Sequence, residues 1–148
     1  MYNDRSRLDP EGRYPADGPR MVERNALRVL ACVQPTRIER ARDVIEIDVG
    51  DAETGIVILV TPEALELRLP TVEWTGGAYG PVAASRLWKR VTTARLSDKR
   101  LASLIRQATE FRQAEFVKCP HCGRSFPPEH RHGDVCHGCC ERDLGIVH

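Results

Sequence analysis

Apolar and polar residues alternate most plainly in the second quarter of the chain. Ile45, Ile47 and Val49 are separated by Glu46 and Asp48, the two-residue period that gives a strand one apolar face. Residues 50–55 (Gly-Asp-Ala-Glu-Thr-Gly) read as a turn, and residues 56–60 are an unbroken apolar run of the kind a central strand carries. Thr61-Pro62 ends that run. Leu65, Leu67 and Leu69 then alternate with Glu66 and Arg68 up to Pro70, and residues 72–74 read as a fourth strand. Short strands with short connections predict a small antiparallel β-meander. Its polar face carries Glu46, Asp48, Glu66 and Glu73, expected to be hydrated.

Further on, the period changes from two to 3.6. Ser97 is a good N-cap with Asp98 in the first turn, and Leu101, Leu104, Ile105, Ala108 and Phe111 recur on one side. Lys99, Arg100, Arg106, Gln107, Glu110, Arg112 and Gln113 fall on the other side. This pattern predicts one amphipathic helix over residues 98–115, its apolar stripe facing the meander. Upstream, residues 27–33 form an apolar run stopped by Gln34-Pro35, which reads as a further strand with Cys32 as a small buried hydrophobe. Residues 1–20 mix prolines and glycines with charges that nearly cancel, the composition of a solvated, disordered tail. The chain thus divides into a tail (1–21), an α+β domain (22–116) and a C-terminal segment (117–148).

The chain's 148 residues allow one domain of ordinary size or a small core with an appendage. The formal net charge of +1 argues neither for nor against nucleic acid, but the distribution is uneven. Residues 44–83 carry seven acids and one Arg, whereas residues 84–118 carry nine basic residues and three acids. Within residues 86–106, Arg86, Lys89, Arg90, Arg95, Lys99, Arg100 and Arg106 face only Asp98 and are candidates for phosphate contacts. Trp74, Tyr79 and Trp88 flank a glycine-rich connection at 75–81 and could stack on bases, although core packing is the better reading for the tryptophans. That connection has neither a Gly-Lys-Ser/Thr sequence nor dinucleotide-binding spacing, and reads as mobile. No apolar segment approaches the ~20 residues of a membrane span, and the polar N-terminus does not read as a leader. A reduced, cytoplasmic protein with no identifiable small-molecule substrate is expected.

Five of the six cysteines lie within residues 119–140. They include two Cys-x-x-Cys pairs, Cys119-Pro-His-Cys122-Gly and Cys136-His-Gly-Cys139, on either side of a 13-residue loop. Two intervening residues let one tight turn bring two sulfurs to a single ion. Four such thiolates suit tetrahedral Zn²⁺ at ~2.3 Å. Iron could use the same thiolates, whereas a thioredoxin-like pair lacks its βαβ setting and covalent haem lacks a His directly after the second Cys. Gly123 suits the position after a knuckle's second cysteine, and residues 140–144 can form a short helix stopped by Gly145.

A knuckle, a compact hairpin and a second pair at a helix start resemble the treble-clef zinc finger, over about residues 117–146. The resemblance implies one structural Zn²⁺ held by Cys119, Cys122, Cys136 and Cys139. Cys140 could replace Cys139, but the spacing favours Cys139. His121, His130, His132 and His137 are left for roles around the metal or on the surface. Nucleases of the HNH type share the treble-clef scaffold, and residues 129–134 lie where such enzymes place a catalytic His. They need a longer insert and a later Asn, however, and no Asn follows Asn25. The sequence therefore reads as α+β, with a β-meander and one amphipathic helix followed by a treble-clef-like zinc finger. The expected function is a non-enzymatic zinc-binding regulatory or adaptor module that binds nucleic acid or a protein partner. The alternative is an HNH-like metal-dependent nuclease.

Overall fold

A computed structural model describes residues 18–74 and 80–145. Most of the expected tail (1–17), the centre of the glycine-rich connection with Tyr79 (75–79), and residues 146–148 lie outside the described residues.

The meander is present and larger than expected. Strands β1 (Pro35–Ala41), β2 (Val44–Val49), β3 (Ile56–Val60), β4 (Ala64–Trp74) and β5 (Pro81–Thr92) form one antiparallel sheet in sequential order. The anticipated fourth strand is the far half of β4, which runs through Pro70. Pro70 is tolerated because β3 pairs with β4 only as far as Arg68, so the proline's missing N–H faces no neighbour on that side. The basic stretch lies largely on the edge strand β5. Its register slips opposite Leu67/Arg68, leaving Trp88 as an extra residue that packs against the core. In the β2–β3 turn, Asp51 Oδ1 accepts from the N–H groups of Glu53 (2.9 Å) and Thr54 (2.6 Å). A Cβ on Gly55 would lie 2.0 Å from the Val49 carbonyl oxygen, so this turn requires glycine.

The expected strand at 27–33 is instead the end of a helix, α1 (Gly18–Leu30), which also takes in residues 18–21 of the expected tail. Its buried positions are Val22, Asn25, Ala26 and Val29, a helical stripe interrupted in the sequence by a polar residue. Asn25 is satisfied in the interior, donating from Nδ2 to the carbonyls of Thr61 and Pro62, both at 3.1 Å, at the β3–β4 turn. Cys32 lies beyond the helix and is exposed, not buried.

The predicted amphipathic helix is α2 (Asp98–Ala114), capped by the Ser97 side chain, which accepts from Arg100 N–H at 3.0 Å. With the short C-terminal helix also expected, the described residues hold three α-helices, of which α1 is the unexpected one. Both α1 and α2 pack on the same face of the sheet. There Val22, Ala26, Val29, Leu101, Leu104, Ile105 and Ala108 bury Ile45, Ile47, Ile58, Val60, Leu65, Leu67 and Leu69. The helical stripe ends differently from the expectation: Phe111 is largely exposed beside Trp88, and Arg112 is fully buried.

The opposite sheet face is less hydrated than expected. Register aligns Glu39, Glu46, Leu59, Glu66 and Arg90 in one row across it, and Glu46, Asp48 and Glu66 are half-buried. Desolvation pushes the Glu46 carboxyl above its usual range, and the neighbouring Asp48 and Glu39 push it further.

Candidate metal centre

The C-terminal segment begins with a two-residue pairing of β6 (Val117–Lys118) and β7 (Ser125–Phe126). The turn between them is a tight knuckle: Cys119 N–H donates to the Arg124 carbonyl and Gly123 N–H to the Cys119 carbonyl, both at 2.8 Å. Gly123 has φ +74°, a left-handed conformation that costs glycine little. A one-turn 3₁₀ helix (Pro128–His130) leads into a second small hairpin, β8 (Arg131–His132) with β9 (Val135–Cys136), and then α3 (His137–Leu144). Cys136 is the N-cap of α3, its Sγ accepting from Cys139 N–H at 3.4 Å, and Gly145 closes the helix at φ +69°.

This path brings the sulfurs of Cys119, Cys122, Cys136 and Cys139 within 4.8 Å of one another. Cys122 Sγ and Cys136 Sγ are 3.9 Å apart, close to the ~3.8 Å separating sulfurs at the corners of a tetrahedron around an ion ~2.3 Å away. Cys119, Cys136 and Cys139 are buried with Phe126 and Val135 against them, while Cys122 is exposed. The four residues are positioned to hold one metal ion.

Their protonation shows why a cation suits them. Burial raises the Cys119 thiol, but hydrogen bonds from the backbone N–H groups of Cys136, Cys122 and His121 outweigh it and bring the value to about 6. Cys139 is pushed up to about 12 by burial and then by the neighbouring thiols. Without a cation, ionising one sulfur makes the next harder to ionise; a divalent ion at the centre favours all four thiolates.

Arg142 donates from Nη2 to Cys139 Sγ at 3.1 Å and from Nε to Asp143 at 3.0 Å. Asp143 also meets His121 Nδ1 at 3.0 Å, so a polar strap joins α3 to the knuckle. Cys140 is buried outside the cluster, its Sγ donating to the Val135 carbonyl at 3.6 Å. His137 packs on exposed Trp74, with ring centroids 6.3 Å apart. His130 sits at the end of the 3₁₀ turn, its N–H donating to the Pro127 carbonyl at 3.0 Å, and His132 is exposed.

The segment is tied to the sheet by a fully buried guanidinium that the helical pattern alone had placed on the polar side of α2. Arg112 donates from Nε to the Glu53 carbonyl (2.7 Å) and from Nη1 to Glu115 (3.2 Å). It also pairs with Glu129 of the C-terminal segment and lies over the Phe116 ring at 5.1 Å. Arg131 adds bonds to the carbonyls of Glu115 and Phe126, each at 3.2 Å. The signal for Arg112 was its place four residues after Ala108, in line with the buried stripe.

The basic candidates are spread over neighbouring elements. Arg86 is ion-paired with Glu115, and Lys89 Nζ lies 5.5 Å from the Trp88 ring centroid. Arg90 is exposed on β5 and Arg95 in the β5–α2 connection at φ +64°. Lys99, Arg100 and Arg106 are exposed on α2. No described helix is long and apolar enough to cross a membrane. No family model matches this chain, and neither a curated protein nor a solved structure matches it.

Proposed function

We propose that this chain is a non-enzymatic zinc-binding module that recognises nucleic acid through a basic surface on β5 and α2. The observation that carries the proposal is an imbalance of engaged charges. Lys89, Arg95, Lys99, Arg100 and Arg106 are exposed on the helix-bearing side and enter no ion pair among the described residues, whereas Arg90 lies in the row across the opposite sheet face. Of the acids nearby, Asp98 is engaged with Arg28 and Glu115 with Arg86 and Arg112, which leaves Glu110 on α2 as a single exposed acid against them. Exposed, unneutralised Lys and Arg side chains are what a phosphate backbone recruits.

The knuckle, the second hairpin and the Cys136-capped helix support a treble-clef reading of the C-terminal segment. Within that reading Cys119, Cys122, Cys136 and Cys139 hold one structural zinc. Four thiolates close the coordination sphere and leave no position for substrate, which favours a structural role over catalysis for this ion. The finger carries few apolar residues, so metal binding supplies much of its folding free energy. Residues 1–21, 22–116 and 117–148 serve as tail, recognition domain and metal-stapled buttress in this scheme, with Arg112 holding the last two together.

The test is a salt titration of binding to arbitrary duplex and single-stranded DNA. Binding should weaken linearly in log–log form. The Lys99→Glu/Arg106→Glu double variant should flatten the slope by about two, one for each phosphate that is no longer neutralised. Absence of salt-dependent binding at low ionic strength would remove the nucleic-acid reading in favour of a protein partner. Cleavage of DNA with added divalent metal, abolished by His130→Ala, would establish the nuclease instead.

A further inference from the structure

We propose that two copies of this chain associate through their β1 strands, joining their sheets into one continuous antiparallel sheet. The surface lies apart from both the metal centre and the basic face. Among the described residues β1 is a terminal strand paired only with β2, and six of its seven residues are exposed. A terminal strand presents a row of unpaired N–H and C=O groups, and proteins ordinarily blunt such an edge with charge or proline. Here Pro35 and a register irregularity blunt only the first residues. The rest, Arg37-Ile38-Glu39-Arg40, carries charges whose signs alternate about a central apolar residue.

That order is what specifies the occupant. Antiparallel pairing of β1 with itself about a two-fold axis at Ile38 sets Arg37 opposite Glu39 of the second copy, and Glu39 opposite its Arg37. Both cross-strand pairs are then attractive. Arg40 falls opposite Thr36, so no like charges meet. Ile38, 46% exposed although it aligns with buried Ile47 on the helix-bearing face, would cover its own counterpart. Arg37 and Glu39 already stand 2.7 Å apart within one copy, so the two-fold places four alternating charges in one square. The other sheet edge does not offer this. β5 carries Arg86, Lys89 and Arg90 with no acid, and a second copy laid along it meets like charge.

The test is sedimentation velocity and light scattering on the metal-loaded full chain over a wide concentration range. A concentration-dependent dimer is expected. Arg37→Glu and Glu39→Arg should each weaken it by about tenfold, because two attractive pairs become repulsive. The double reversal Arg37→Glu/Glu39→Arg restores opposite signs and should restore the dimer. Ile38→Lys leaves the intrastrand ion pair intact and should dissociate the dimer by opposing two ammonium groups. Circular dichroism confirms that each variant is folded. A chain that stays monomeric at high concentration overturns the proposal. So does a dimer indifferent to both single reversals, or a folded double reversal that fails to recover association.

Discussion

Glu129→Gln is the sharpest perturbation of the junction between the sheet and the C-terminal segment. The Arg112 side chain is 0% exposed and that of Glu129 only 9% exposed, so their ion pair operates away from bulk water. Desolvation raises the Glu129 carboxyl, but the hydrogen bond and charge of Arg112 together with a backbone hydrogen bond offset it and hold the carboxyl below the usual range. Replacing the carboxylate by an amide keeps shape and some hydrogen bonding but removes the charge facing a buried guanidinium. Breaking a buried pair by removing one partner costs about 3–5 kcal/mol, and the residual contact with Glu115 places the expected cost near the lower end, about 3 kcal/mol. For a chain of this size that is a fall in Tm of about 6–12 °C. Chemical denaturation and calorimetry of wild type, Arg112→Met, Glu129→Gln and the double variant complete a cycle. The double variant should be less damaged than the sum of the singles, since no buried charge is left alone. A loss under about 1 kcal/mol for Glu129→Gln, or strict additivity in the cycle, would refute the reasoning.

Two further predictions test the metal centre and the outer sheet face. Cys136→Ser should reduce the metal content of purified protein well below one equivalent, whereas Cys140→Ser should retain one; serine still caps α3, so the loss reports ligation, and the reverse pattern would exchange the two roles. Glu46→Gln should modestly stabilise the protein at neutral pH, because a raised carboxyl pKa means the charged form is disfavoured in the fold. That gain should fade as pH falls through the raised value towards 4.5, and a gain that does not vary with pH would contradict it.

Much of the architecture was legible because its signals are local. The alternation at Ile45–Val49 and Leu65–Leu69, the Ser97 cap and the spacing of the cysteine pairs each depend on residues a few positions apart. The same holds for Gly123 and Gly145, whose positive φ values follow from turns that neighbouring residues dictate. The α1 stripe was missed because one of its four buried positions is Asn25, whose bonding partners lie 36 and 37 residues away. β1 was missed because, as an exposed edge strand, it has no apolar periodicity to read.

The sequence by itself determined an antiparallel meander, a capped amphipathic helix and four thiols paired for one metal, since secondary-structure period and chelate spacing are short-range properties. Only the tertiary structure decided that Arg112 is buried between Glu53, Glu115 and Glu129, that Cys140 turns away from the cluster, and that β1 and β5 are the edges. Those outcomes depend on which distant segments meet. A charged residue in a helix looks solvent-exposed until the fold supplies buried partners for it.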